Sequence, residues 1–348
     1  MLRCWCRCRV AAPLPRRCQI LLYASGVTAN VDVMSKNPFS RLFFAALFLA
    51  AVSVSAAPKK ILFFSKSSGF EHSVISWKAG RPAYAEKVLQ NLGAQNGWEF
   101  VFSKDGSKFG KDYLAQFDAV FFYTTGDLCA AGTDQQPAMT SEGKQALFDF
   151  VRGGKGFIGT HSASDTFHTN NEDKKGADRY LNHGDKADAY VRFLGGEFIK
   201  HGAQQVATNR VTDPKFPGFA NVGPAFAFQE EWYSLKDFSP DIHVLTVIDA
   251  AAMKGVEYQR PDYPTTWARR EGSGRVWYTA MGHREDVWTN AVFQRILVGG
   301  IRWALGEAKA DVPPNLKETA PEAYTNPPYP EPKPASERGP TPEPAKKT

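Results

Sequence analysis

Short apolar segments that alternate with amphipathic ones are the feature that most constrains this fold. Lys60–Ser65 (KILFFS) is apolar without alternation, as expected of a strand buried on both faces of a sheet. Thr140–Val151 begins with a capping Thr-Ser-Glu sequence, has helical spacing and ends at Gly153-Gly154. Further predicted elements are strands at 98–103, 118–123 and 155–160 and a helix at 75–92. Alternating strands and helices predict an α/β fold, with a mostly parallel sheet flanked by helices.

The later part of the same region predicts more strands and a closing helix. The predicted strands are 204–210, 243–248, 265–270 and 275–280, and the predicted helices are 178–194 and 290–305. The sequence Glu271-Gly272-Ser273-Gly274 predicts a hairpin turn between the last two strands. Because no linker-like stretch interrupts this region, we expect one domain over residues 57–306.

Residues 34–56 have the pattern of a secretory signal peptide. Lys36 and Arg41 give a basic start, 42–54 is apolar, and small residues precede a predicted cleavage before Ala57. The apolar run is shorter than the roughly 20 residues of a membrane span, although an uncleaved anchor is the alternative. We expect a periplasmic or secreted protein with no stable membrane span after cleavage. Met34 stands where a signal peptide should begin, so residues 1–33 are expected to be an extension upstream of the true start.

Charge and glycine spacing argue against two classes of partner. The net charge of +6 comes from residues 1–57, because 58–348 keep 35 of the 42 basic and 35 of the 36 acidic residues. No basic surface remains to neutralise a nucleic-acid backbone, so no nucleic-acid partner is expected. Gly154-x-Gly156-x-x-Gly159 has dinucleotide-motif spacing, but these glycines precede and enter a strand instead of opening a helix. No nucleotide cofactor is expected.

The two ends of the chain differ in composition from the domain. Residues 307–348 are rich in Pro, Lys and Glu and are predicted to form a disordered tail. After residue 33 the chain retains a single cysteine, Cys129, so an internal disulfide in residues 34–348 is excluded.

His161 is the first candidate site residue. In Gly159-Thr160-His161-Ser162-Ala163 a small residue precedes a polar one at a predicted strand end. This pattern is typical of the strand-to-helix elbow that exposes a catalytic side chain over the sheet edge. Ser162 is one position late for that role and is a candidate for substrate binding.

His283 is the second candidate. It follows the predicted strand that ends near Ala280, and Glu285 stands two residues later. A carboxylate at that position is expected to hold the tautomer of the imidazole and raise its basicity. We therefore predict His161, His283 and Glu285 as catalytic residues.

His72 belongs to the loop after the first strand, and loops that follow parallel strands meet at one edge of a sheet. His72, His161 and His283 are therefore expected to converge, and three imidazoles are a plausible set of ligands for a divalent metal. Carboxylates beside aromatic rings suit a sugar, which adds candidates for substrate binding besides His72: Glu230, Glu231, Trp232 and Tyr233.

Four segments together resemble the ThuA-like (trehalose-utilisation) family. They are KILFFSKSSGFEHS (60–73), GGKGFIGTHSASDT (153–166), EEWY (230–233) and PTTWARREGSGRVWYTAMGHREDVW (264–288). The resemblance spans roughly residues 59–306. It implies the flavodoxin-like α/β fold of class I glutamine amidotransferases. His161 occupies the position of the amidotransferase cysteine, while His283 and Glu285 match the later His and Glu, so glutaminase activity is not expected.

The resemblance also implies a role in carbohydrate use. We expect the protein to act on a 3-keto-glycoside or disaccharide, with His161 or His283 as acid or base and a bound metal as a further means of polarising the ketone. Three alternatives stay open at this point. They are a non-catalytic sugar-binding protein, a hydrolase with a metal held by His72, His161 and His283, and an interaction module that engages the envelope through the Pro-rich tail.

Overall fold

The computed structural model of this chain describes residues 22–24, 27–29, 57–78, 81–169 and 176–330. It divides into two units, Met1–Ala57 and Pro58–Thr348. In the first unit, strands β1 (Leu22–Ala24) and β2 (Val27–Ala29) pair antiparallel. The predicted signal peptide, 34–56, lies outside the described residues. The described part of the chain has no helix with the length and apolar character needed to cross a bilayer.

The second unit is built on a nine-stranded mixed sheet. Its strands are β3 (Lys59–Phe64), β4 (Trp98–Ser103), β5 (Ala119–Phe122), β6 (Gly156–Thr160), β8 (Gln205–Val211), β9 (Ala225–Glu230), β11 (His243–Ile248), β12 (Tyr263–Glu271) and β13 (Gly274–Thr279). Their order across the sheet is β4-β3-β5-β6-β13-β12-β11-β8-β9. The first five strands in that order are parallel, and the last four are added antiparallel. The predicted α/β fold is confirmed.

A separate two-stranded ribbon is formed by β7 (Glu197–His201) and β10 (Tyr233–Lys236), which pair antiparallel. The helices of the unit are α1 (Tyr84–Asn96), α2 (Lys111–Leu114), α3 (Ser141–Arg152), α4 (Ala189–Leu194), α5 (Glu285–Trp288), α6 (Ala291–Ala304) and α7 (Leu316–Thr319).

The parallel strands form where the sequence has unbroken apolar runs. Ile61–Phe64 of β3 and all of β5 are fully buried, as expected for strands covered on both faces. Helix α3 starts as predicted, because the Thr140 side chain accepts a hydrogen bond from the Gly143 backbone N–H. Strands β6 and β13 lie side by side and parallel, so the segments that follow them leave the sheet at the same edge.

Two helix predictions were wrong in extent. The helix predicted at 75–92 begins only at Tyr84, after a 3₁₀ turn at Ser73–Ile75, because Pro82 disfavours helical backbone in the residue before it. The helix predicted at 178–194 is reduced to α4, preceded by 3₁₀ turns at Ala177–Tyr180 and Gly184–Lys186. Gly184 with φ +54° breaks that helical pattern, and Asp188 starts α4 anew by capping the Tyr190 N–H.

The prediction of a disordered tail from residue 307 is also corrected for residues 307–330. This segment contains α7, and its residues Leu316, Ala320 and Ala323 are buried in the core. The Asn315 side chain accepts a hydrogen bond from the Val244 N–H (2.6 Å) and donates one to the Val244 carbonyl (3.1 Å). Asn315 thus acts as a partner for the backbone of β11, which the proline content alone does not predict. Residues 331–348 lie outside the described part.

Candidate functional site

His161 follows β6 directly and takes the strained backbone of an elbow. Its φ is +44°, in the left-handed region that residues with a side chain rarely adopt. A Cβ added to Gly159 would lie 3.1 Å from the Ala163 Cβ and 3.1 Å from the Tyr278 ring, which explains the small residue before the elbow. The fully buried His161 ring points its Nδ1 at the Ala280 carbonyl, 3.1 Å away. Because that oxygen can only accept, Nδ1 carries the proton and Nε2 presents a lone pair.

His283 follows β13 in a loop fixed by a buried carboxylate. Glu230 Oε2 accepts hydrogen bonds from the backbone N–H groups of Gly282 (2.8 Å) and His283 (3.1 Å). Gly282 adopts φ +119°, which favours glycine at this turn. The His283 Nδ1 lies 3.3 Å from the His161 Nε2, so the two elbow loops bring their imidazoles together.

Glu231 lies against both of these histidines. Its Oε2 is 3.1 Å from the His283 Nδ1 and 3.5 Å from the His161 Nε2. Burial alone would raise the pKa of Glu231, but the neighbouring imidazoles of His161 and His283 hold it well below its usual range. The carboxylate is therefore ionised at neutral pH.

His72 completes the cluster from the loop after β3. Its ring centroid is 4.9 Å from that of His161 and 5.3 Å from that of His283. Burial, followed by the neighbouring imidazoles of His161 and His283, lowers the pKa of His72 well below its usual range, so the ring is neutral. Its Nε2 is 3.4 Å from the Tyr233 hydroxyl, whereas its Nδ1 is buried with no hydrogen-bond partner among the described residues.

Glu285 is not among the residues that meet in the cluster of His72, His161, Glu231 and His283. This residue begins α5, is exposed to solvent, and forms no hydrogen bond with His283 in the described part of the chain. Glu231, from a distant strand, holds the position beside the His283 Nδ1 instead.

Three of the predicted substrate-binding residues lie beneath the surface. Ser162, Glu230 and Trp232 are fully buried. Glu230 instead holds the His283 loop, and Trp232 donates its indole N–H to the Gln205 carbonyl. Tyr233 remains at the cluster, with its ring centroid 4.0 Å from that of His161.

An open depression of about 390 Å³ lies in front of His283, and polar side chains line it. The lining consists of Ser73, Gln204, His283, Arg284, Glu285 and Asp286. The Gln204 Nε2 is 3.0 Å from the His283 Nε2. His201, from β7, places its Nδ1 3.4 Å from Glu231 Oε1. Sequence reasoning missed Gln204 and left His201 without a role, because neither stands in a recognisable motif.

Comparison with known proteins identifies the family. The sequence profile of the ThuA family, described as trehalose utilisation, matches residues 60–304. The chain belongs to the ThuA family. A solved ThuA-like protein from Bacteroides uniformis is 20% identical, with 76% of this chain and 98% of that chain covered and a TM-score of 0.53, which supports the fold. One from Parabacteroides merdae is 16% identical, with 78% and 97% covered and a TM-score of 0.47. No protein with a curated description matches.

The histidine cluster of this ThuA-family chain also has the donor set of a metal site. One ligand atom from each of His72, His161, Glu231 and His283 lies within 4.8 Å of the others. The separations of 3.1, 3.3 and 3.5 Å among three of them are near the edge of a tetrahedron with zinc-ligand bond lengths, about 3.3 Å. The unpartnered Nδ1 of His72 and the lone pair of His161 are consistent with a shared cation.

A second group of potential ligands, His183, Glu197 and Asp237, is a different kind of site. The buried Lys236 Nζ lies 3.2 Å from the His183 Nδ1, 3.6 Å from Glu197 and 3.5 Å from Asp237. The ammonium group already supplies the positive charge that a metal would bring. We therefore assign this group to an internal ionic network.

Proposed function

We propose that this ThuA-family protein is a carbohydrate-processing enzyme in which His283 is the general base and Glu231 orients it. The observation that carries the proposal is the 3.1 Å contact between Glu231 Oε2 and the His283 Nδ1, beside the open depression. A carboxylate at Nδ1 keeps the proton there, so Nε2 is unprotonated and can take a proton from a substrate that displaces the Gln204 amide. The ionised Glu231 also stabilises the imidazolium that this transfer creates.

The substrate class that we propose is a glycoside with a keto group at carbon 3. The family description supports a carbohydrate, and the polar lining of the depression suits hydroxyl groups. The keto group acidifies the hydrogen on carbon 2, which His283 Nε2 removes, and the C–H electron pair forms an enolate. When the bond from carbon 1 to the aglycone oxygen breaks, the enolate electrons form a C1–C2 double bond and restore the ketone. The imidazolium then gives its proton to the departing oxygen.

Because His161 is fully buried behind His283 and Glu231, we propose a supporting role for it instead of substrate contact. Its Nε2 lies 3.3 Å from the His283 Nδ1 and is a second acceptor for the Nδ1–H, beside Glu231. We further propose that the signal sequence at 34–56 directs the protein to the periplasm or the medium.

Turnover of 3-keto-glycosides by the purified protein tests this proposal. We expect His283→Asn to lower kcat/KM by about 10²–10⁴-fold, and Glu231→Gln to lower it in the same direction. Glu99→Gln is the matched control, because Glu99 is exposed on the outermost strand β4 and does not line the depression, and it should stay within a few-fold of the wild type. Undiminished turnover by folded His283→Asn protein would refute the proposed base. Tight sugar binding in calorimetry without any turnover would favour the non-catalytic alternative.

A second candidate function, a metal-dependent hydrolase, is favoured by the ligand-atom separations and the unpartnered His72 Nδ1. His72, His161, His283 and Glu231 would hold the ion, which when bound supplies Lewis-acid polarisation and an activated water. Zinc at about 100 times its Kd should then stabilise the folded protein by about 2.7 kcal/mol, seen as a higher Tm. A His72→Ala protein with an equal zinc-dependent Tm increase would contradict this candidate.

A further inference from the structure

Gln204 contacts the ring nitrogen of His283 that does not face the histidine cluster. It immediately precedes β8 and places its Nε2 3.0 Å from the His283 Nε2. On the other side of the imidazole, Nδ1 faces Glu231 and His161. The two ring nitrogens therefore have different neighbours, and Gln204 is the hydrogen-bond partner of the outer nitrogen.

Arg284 fixes which way the Gln204 amide points. The Arg284 Nη1 lies 2.7 Å from the Gln204 Oε1, and a guanidinium group can only donate, so the amide oxygen must face Arg284. Arg284 is itself held by Asp286, with Nε and Nη2 donating to the two carboxylate oxygens at 2.9 and 3.1 Å. The amide NH₂ of Gln204 is consequently directed at His283.

An amide N–H directed at the His283 Nε2 requires that nitrogen to accept. A neutral His283 must then carry its proton on Nδ1, where Glu231 and His161 both present acceptors. A metal bound at Nδ1 would reverse this arrangement, because Nε2 would then carry the proton. The Nε2–H and the Gln204 N–H would be two donors directed at each other, with their nitrogens 3.0 Å apart.

We infer that Gln204, held by Arg284, is a positioning residue that selects the Nδ1–H tautomer of His283 and makes metal ligation by His283 less favourable. This rests on the proposed role of His283 as a base. In this arrangement Nε2 stays unprotonated and holds the Gln204 N–H, which the substrate C–H replaces when His283 acts as the base. Rotation of the Gln204 amide, which breaks its bond to Arg284, would accompany metal binding.

The tautomer is measured directly by ¹⁵N NMR of histidine-labelled full-length protein at a pH where His283 is neutral. We expect a protonated Nδ1 and an unprotonated Nε2 for His283, assigned by comparison with His283→Asn. A neutral His283 protonated at Nε2 in the wild type would overturn the inference. This readout needs no substrate, so a failure of the turnover assay and a failure of the tautomer assignment are separate results.

Zinc titration calorimetry supplies a second measurement on three variants. Gln204→Glu offers an acceptor to an Nε2–H and should lower the Kd for zinc about tenfold, and Gln204→Leu removes the opposing N–H and should lower it less. Gln116→Glu is the charge-matched control. Gln116 is exposed and lies just before the start of β5, whereas His161 and His283 follow the ends of β6 and β13. The Kd of this variant for zinc should stay within twofold of the wild-type value. Equal zinc affinity in the wild type and both Gln204 variants would overturn the inference. If no protein binds zinc measurably, the NMR result alone decides.

Discussion

The backbone of His161 is strained, and named contacts hold it in place. A non-glycine residue at φ +44° costs of order 1 kcal/mol or more and persists only where its surroundings determine it. The Tyr278 hydroxyl donates to the His161 carbonyl at 2.7 Å, and the Ser164 hydroxyl donates to the same oxygen at 3.2 Å. These bonds hold the His161 backbone, so the site depends on Tyr278, which is fully buried.

Tyr278→Phe tests this support. We expect a loss of about 1–3 kcal/mol in the free energy of unfolding, measured by chemical denaturation, because the buried His161 carbonyl loses its shorter hydrogen bond. The NMR signals of the His161 imidazole should shift as well. Tyr190→Phe is the matched control, since its buried hydroxyl donates to the Ala163 carbonyl and should affect stability without moving His161. An unchanged His161 signal in Tyr278→Phe would show that the elbow does not need this bond.

Gly300 shows how closely α6 packs against β13. A Cβ on this residue would collide with the indole of Trp277, which is fully buried. Gly300→Ala should therefore cost about 1–3 kcal/mol of unfolding free energy in urea denaturation, although alanine favours helices more than glycine does. Gly110→Ala is the control, because nothing lies within 4 Å of its added Cβ. Equal stability of the two variants would mean that the helix can move away without cost.

At the scale of elements, the β7–β10 ribbon is tied to the loop after β6 by a buried ionic network. Glu197 on β7 lies 2.7 Å from the His168 Nδ1, accepts from the Thr169 hydroxyl at 3.0 Å, and lies 3.6 Å from the Lys236 Nζ on β10. Burial alone would raise the pKa of Glu197, but its hydrogen bond with His168 and the charges of His168 and Lys236 lower it below its usual value. This network holds the ribbon in place. His201 at the end of β7 pairs with Tyr233 at the start of β10, and both residues are neighbours of the histidine cluster.

Glu197→Gln should show the pH dependence of this network. A carboxylate whose pKa is lower in the folded state stabilises the protein above its unfolded pKa of about 4.3 and loses that effect as pH falls through the folded pKa. The variant should therefore be about 3 kcal/mol less stable at pH 7, with the difference shrinking as the pH drops below about 4. Urea denaturation of both proteins from pH 7 to pH 3 measures it. A difference that is constant over this range would contradict the assigned ionisation.

At the scale of the whole molecule, residues 307–330 are part of the folded unit. The buried Arg260 Nη2 donates to the Ala323 carbonyl at 2.7 Å, and its Nη1 donates to the Leu235 carbonyl. Burial lowers the pKa of Arg260 to about 10, which still leaves it charged at neutral pH. Through Arg260, the terminal segment and the ribbon strand β10 therefore share one buried cation.

Truncation after Gly306 tests this dependence. We expect a loss of more than about 3 kcal/mol in unfolding free energy, because the Arg260 guanidinium loses an acceptor and the apolar contacts of Leu316, Ala320 and Ala323 disappear. Thermal and chemical denaturation measure it. A shorter truncation that removes only residues 331–348 keeps every contact named here and is the control. Equal Tm values for the two truncated proteins would show that 307–330 contribute nothing.

Local sequence determined much of the fold and pointed to several of the site residues. The unbroken apolar runs of β3, β5 and β6 and the capped helix α3 depend on interactions between neighbouring residues, so the pattern alone predicts them. His161 and His283 could be found because each directly follows a strand, and parallel neighbouring strands end at one edge. Where a proline or a left-handed glycine interrupted an apolar pattern, as at Pro82 and Gly184, the predicted helix was too long.

Only the tertiary structure decided which groups complete the site. Glu285 is two residues from His283 along the chain, yet the start of α5 turns it to solvent, while Glu231 reaches the same imidazole from the end of β9 at the far edge of the sheet. Gln204 and Arg284 meet at His283 in the same way. Spacing in sequence fixes the direction of a side chain within one helix or strand. Contacts between helices and strands depend on how these elements pack together, and the local sequence pattern does not encode that packing.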